Sequence, residues 1–91
     1  MSTYYASCHT PDNADQDRRI QGLGGSIMGW LNIDTIIMMI EQGHVFYTQP
    51  TFGTGQQIIV AKHPRSGRKY LKTRADGVEP NNILSLPRCP R

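Results

Sequence analysis

No stretch of this chain is apolar for the roughly 18 residues that a bilayer-spanning helix needs. The opening Met1-Ser2-Thr3-Tyr4-Tyr5 has neither the basic nor the apolar region of a secretory leader. Together these set the expectation of a cytoplasmic protein with no membrane partner. Cysteine is scarce: Cys8 and Cys89 stand alone near opposite ends. There is no Cys-x-x-Cys, and no histidine at metal-ligand spacing from either cysteine. A zinc site would need Cys8 and His9 to meet His44, His63 or Cys89 in space, which is not expected. A disulfide joining the two ends is open to the chain. In a cytoplasmic setting two reduced thiols are the expectation.

Catalytic signatures are missing too. No Ser-His-Asp set, paired carboxylates or cysteine–histidine pair falls at an interpretable spacing. Convergence of Cys8 with His44 or His63 is the one remaining route to an activated nucleophile. The expectation is a non-enzyme without a cofactor. Gly22-Leu23-Gly24-Gly25 lacks the Lys-Ser/Thr of a phosphate loop and the full Gly-x-Gly-x-x-Gly of a dinucleotide site. Gly24 and Gly25 are read instead as giving the backbone positive φ where a strand ends. There is no internal repeat and no low-complexity tract.

What is present suits a small α+β domain. The chain has 91 residues, 37% hydrophobic and 19% charged, enough for one modest core. We read a single domain, 1–91, ordered over about 4–88. Thr3–His9 is compatible with a first strand. Thr10–Asp17 is a polar loop, and Ile20–Gly25 a second strand in a hairpin with the first. The tip, Pro11–Gln16, is expected to be mobile because it lacks an apolar anchor. Asn32 is a good N-cap and Asp34 adds charge to a first helical turn. Ile33, Ile36, Ile37 and Ile40 fall at helical spacing, flanked by Met38 and Met39, and Gly43 suits the left-handed position past the helix end. Trp30 is read as a core anchor just before that helix. Val45–Thr48, Gln57–Lys62 and Arg68–Thr73 follow as three strands of an antiparallel meander. The expected architecture is a small antiparallel sheet of about five strands in ββαβββ order, with one helix packed on one face.

The last third is the most specific stretch. Tyr70 and Lys72 face one side of a strand, and Leu71 and Thr73 the other. Asp76-Gly77 signals a turn, and Glu79-Pro80 an extended link. Asn81 or Asn82 caps a short turn that presents Ile83, Leu84 and Leu86 before Pro87 stops it. The reading is a tail that folds back and plugs one end of the sheet. An oxygen-ligand metal site at Asp76, Asn81 and Asn82 is the alternative; calcium sites draw on a denser acidic pattern, so the structural reading is preferred.

These features resemble one family. Arg19-Ile20 through Gly24-Gly25, Trp30 ahead of a helix ending Ile40-Glu41-x-Gly43, the pair Phe46-Tyr47, and the tail Gly67-Arg68-Lys69-Tyr70-Leu71-Lys72-Thr73, Ala75-Asp76-Gly77 and Pro80 to Pro87 are similar to the small bacterial proteins classed as domain of unknown function 3892. The resemblance runs from about Tyr5 to Pro90. It implies one coherent domain and supplies no activity, cofactor or catalytic residue.

Two binding readings stay open. The chain is most simply a non-catalytic binding or accessory module with a protein partner. The alternative is a weak, non-specific nucleic-acid binder. Lys62, Arg65, Arg68, Lys69, Lys72 and Arg74, six of its ten basic residues, cluster in or beside one hairpin. Tyr70 lies among them and is placed to stack on a base. The net charge of +3 is small for such a role, and the lysines equally serve to keep an edge soluble.

Overall fold

A computed structural model, which describes residues 2–15, 18–49, 55–75 and 81–90, divides the strands between two sheets. The described elements are β1 (Thr3–Ala6), β2 (Cys8–Pro11), β3 (Ile20–Gly25), β4 (Gly29–Asn32), α1 (Ile33–Glu41), β5 (Val45–Thr48), β6 (Gln57–Lys62), β7 (Lys69–Thr73) and α2 (Asn81–Leu84). One sheet has the order β1-β5-β6-β7 and the other β2-β3-β4. The class is α+β, but the single antiparallel sheet of about five strands is not what forms. The β1–β5 pairing is parallel, and the remaining strand pairs are antiparallel.

Two local features cause the difference. The strand expected over Thr3–His9 changes sheets at Ser7. Ala6 O accepts from Gln49 N on one side at 2.7 Å, and Ser7 N donates to Gly24 O on the other at 2.8 Å. The segment before the helix is also a strand, β4, joined to β3 by the turn at Ser26–Met28. Trp30 belongs to this strand and lies outside the core. Its indole covers Gly22, where a Cβ would come within 2.5 Å of the ring, and its Nε1 donates to Thr10 Oγ1 at 3.0 Å. Gly24 and Gly25 do not take positive φ; Gly29, Gly43 and Gly67 do. A Cβ on Gly24 would meet Cys8 Sγ at 2.7 Å, and one on Gly25 would meet Tyr5 O at 2.3 Å. Their small size serves close approach.

The remaining elements follow the local chemistry. Asn32 Oδ1 accepts from Thr35 N at 2.8 Å and caps α1, and Gly43 turns the chain out with φ 105°. Ile33, Ile36 and Ile37 are buried and Ile40 partly so, while Met38 is exposed. The helix packs on β3, β4, β6 and β7, so its apolar face closes the space between the sheets. Burying each isoleucine contributes roughly 1.5–3 kcal/mol. The polar tip carries anchors that its composition hid. Asp12 Oδ1 accepts from Ala14 N and Asp15 N, and the Asp15 carboxylate takes a two-pronged pair from Arg68 at 2.8 and 3.0 Å. Gln16 and Asp17 lie outside the described residues.

The tail does plug the core. Ile83 and Leu86 join the same buried cluster as Phe46, Ile58 and Leu71. Asn82 Nδ2 donates to Thr73 Oγ1 at 2.8 Å, which ties the tail to β7. Asp76, Gly77, Glu79 and Pro80 lie outside the described residues. Beyond α2 the chain runs along β2: His9 N donates to Pro87 O and Cys89 N to His9 O, each at 2.9 Å. This pairing brings Cys8 and Cys89 to a Cα separation of 4.9 Å, and they form a disulfide. The expectation of two reduced thiols is therefore corrected, because strand pairing places the two ends side by side.

His9 is held between this tail and the core, only 5% exposed, and its buried Nδ1 has no hydrogen-bond partner. Burial lowers its pKa below the usual 6.5; the Leu86 and Pro87 carbonyls oppose the shift, and Arg88 adds to it. A depressed folded pKa gives a fixed sign. Above 6.5 neither state binds the proton; below it the unfolded chain takes the proton first, so folding weakens as pH falls. We expect the melting temperature to drop between about pH 7 and pH 5, and His9→Gln to remove most of that slope. A wild-type slope matched by the variant would show that His9 does not carry it.

Candidate functional site

The register of β6 and β7 distributes the basic hairpin. Ile59 stands opposite Lys72, Ala61 opposite Tyr70 and Lys62 opposite Lys69. Lys62 and Lys69 therefore share the inner, helix-side face with Leu71, while Lys72 shares the outer face with Tyr70. Arg65 and Arg68 are exposed at the turn. Arg68 is paired with Asp15, and Lys69 Nζ reaches Glu41 Oε2 on α1 at 2.5 Å. Each exposed pair contributes little stability, but each neutralises a charge on the hairpin. Tyr70 is only 2% exposed, its ring 6.0 Å from that of the buried His63, so it offers no face for stacking. The seven residues singled out from sequence thus fall on two faces and a turn.

A different surface collects the open aromatic chemistry. Ala6, Phe46, Thr48 and Ile58 point into the core, so their neighbours Tyr5, Tyr47 and Gln57 point outward from the four-stranded sheet. Tyr5 is opposite Tyr47, and Tyr47 opposite Gln57. The two tyrosine rings stack with centroids 5.8 Å apart and planes 24° apart, and Tyr5 is 51% exposed. Arg74 Nε donates to Gln57 Oε1 at 2.8 Å, which holds the guanidinium at the end of the same row. A line of tyrosine, tyrosine, amide and guanidinium therefore crosses the sheet, with Ile59 and Lys72 in the row beside it. The described carboxylates lie elsewhere: Asp12 and Asp15 on the 12–19 loop, Asp34 and Glu41 on α1, behind the sheet.

The catalytic and metal candidates do not assemble. Cys8 Sγ is bonded to Cys89. His44 Nδ1 accepts from Ser2 N, and His63 Nδ1 from Arg65 N. Among the described residues no group of three His, Cys, Asp or Glu side chains is arranged to hold a metal. An apolar hollow of about 200 Å³ opens beside the disulfide, floored by Gly24 and Gly29 and walled by Trp30 and Pro90. A second of about 130 Å³ lies beside Tyr5 and Ile27. Among the described residues no helix is long and apolar enough to cross a membrane.

These features define a small α+β domain of two sheets closed by a helix and a C-terminal plug, with a stacked tyrosine pair on the outer face of the four-stranded sheet. The chain belongs to the family described as protein of unknown function (DUF3892), whose model matches residues 12–87. The match is shorter at both ends than the Tyr5–Pro90 span of the resemblance, and both cysteines fall outside it. No curated protein and no solved structure matches the chain.

Proposed function

We propose that this is a non-catalytic binding module, and that it works through the outer face of the four-stranded sheet rather than through the basic hairpin. The observation that carries this reading is the stacked Tyr5–Tyr47 pair, held open on a face that has no carboxylate among the described residues. Exposed aromatic rings on rigid strands contribute contact area at low entropic cost. The hairpin supports the reading by contrast, since Arg68 and Lys69 are already engaged by Asp15 and Glu41. The cytoplasmic location expected from sequence belongs to the proposal, with the disulfide reversible there.

Photo-crosslinking in the host tests it. A benzophenone side chain placed at Thr3 or Gln57, on the outer face, should give a discrete adduct with a partner macromolecule. The same group at Arg65, on the turn, should not. Adducts from Arg65 alone, or none from the outer face, would refute the reading.

A further inference from the structure

We infer that the Cys8–Cys89 disulfide is an exchange site for small-molecule thiols, which open it in the folded chain and free the strap 87–90 from β2 while the core stays closed. Both cysteines are half-buried, and both line the apolar hollow of about 200 Å³. Their sulfurs stand over Gly24 in its floor. A Cβ on Gly24 would lie 2.7 Å from Cys8 Sγ and 3.0 Å from Cys89 Sγ. The absence of a side chain there seats the bond against the hollow, which gives a thiol its approach. Trp30 and Pro90, which wall the hollow, carry no charge, so a small thiol with an uncharged body suits it.

Apart from the bond, the strap is lightly held. It meets β2 at one bridge, His9 opposite Arg88, through the two backbone hydrogen bonds of His9. Pro87, Arg88 and Pro90 are exposed. The two prolines have no N–H with which to extend a ladder. Burial in the core ends one residue earlier, at Leu86, whose own N–H donates to Ile83 O inside the plug. A short stretch with few buried contacts opens at low free energy. The closed strap also keeps His9 Nδ1 buried with no hydrogen-bond partner among the described residues. Release gives that nitrogen to water, which offsets part of the lost pairing. The covalent link is then what holds the strap down, by keeping its end at high effective concentration beside β2.

The exchange runs in two balanced steps. A thiolate bonds to one cysteine sulfur, the Cys8–Cys89 bond breaks, and the other sulfur leaves as a thiolate. A second thiolate then bonds to the sulfur of the first thiol and displaces the second cysteine. Two thiols are oxidised to one small disulfide. The cystine takes up their two electrons, and the two cysteine sulfurs take up the two protons.

The test starts from the oxidised full chain with 2-mercaptoethanol at about pH 8, quenched with iodoacetamide and read by mass spectrometry. We expect opening of the bond to change in rate by less than about twofold in about 1 M urea, because no global unfolding is needed. A bond reached only through the unfolded chain would open at least about fivefold faster there, which would overturn the inference. Nitrogen-15 relaxation of the reduced chain locates the opening. Order parameters at Arg88 and Cys89 should fall from about 0.85 to below about 0.6, while Leu86 and Gln49 stay near 0.85. The Cys8→Ala/Cys89→Ala chain should show the same pattern without thiol. Order retained at Arg88 and Cys89 after reduction would show that the bond does not hold the strap. Order lost at Leu86 and Gln49 as well, or a double variant that fails to fold, would show that the bond holds the whole fold, and either result overturns the inference.

Discussion

A chain ending before Asn81 should lose its cooperative unfolding transition. Truncation there removes α2 and with it Ile83 and Leu86, both buried in the core cluster, and Leu84, packed against it. Fully burying two such side chains contributes roughly 3–6 kcal/mol, and the cavity left behind adds to the loss. A domain of this size has a total stability of about 5–14 kcal/mol. The cut also removes the backbone pairing with His9 and the disulfide partner of Cys8. The expected product is molten or insoluble, with helical and sheet content but no sharp melt. Circular dichroism melting of the shortened chain checks this, and a transition unchanged in midpoint would show the tail to be an appendage.

Reduction of the disulfide should lower the melting temperature by on the order of 15–30 °C without abolishing the fold. Cys8 and Cys89 are 81 residues apart. Closing a loop of that length restricts the unfolded chain by about 4 kcal/mol in the chain-entropy account. In a domain this small each kcal/mol moves the midpoint by about 4–8 °C. The native contacts of the tail survive reduction, because Ile83, Leu86 and the Thr73–Asn82 bond do not depend on the sulfur atoms. The double variant Cys8→Ala/Cys89→Ala should melt at the reduced value and ignore added thiol. Equal midpoints with and without reductant would show that the ends are not bonded. Both cysteines lie outside the matched residues 12–87, so the bond joins the chain on either side of the matched stretch.

Where the sequence pattern was local, it read through to structure. Val45–Thr48 and Gln57–Lys62 are bounded by turn residues and form strands over those ranges. Asn32 caps the helix because its short side chain reaches the Thr35 N–H, and three of the four patterned isoleucines are buried. The tail plug was legible because Ile83, Leu84 and Leu86 are concentrated between the asparagine pair 81–82 and Pro87.

The rest depended on long-range placement. Nothing in Ser7 marks a change of sheet; the switch is set by Gly24 and Gln49, which are distant in sequence. The β4 strand, Gly29–Asn32, is only four residues long and merges into the helix cap. The two-turn signal of Gly25-Ser26 and Gly29 was its one available clue. The disulfide required the tail to pair with β2. The aromatic surface was misplaced for a similar reason. Tyr70 sits among six basic residues in sequence yet is buried, while Tyr5 and Tyr47 meet through the parallel β1–β5 pairing. Alternation alone shows which residues share a face; which face stays open depends on what the rest of the chain covers.

The most direct measurement of the sheet-face reading is amide chemical-shift mapping of the nitrogen-15-labelled chain titrated with the partner captured by crosslinking from Thr3 or Gln57. Shifts that saturate together at Tyr5, Tyr47 and Gln57, with little change at Arg65 or Ser66, are the expected result. Shifts confined to the 62–69 hairpin, with the Tyr5–Tyr47 row unmoved, would contradict it.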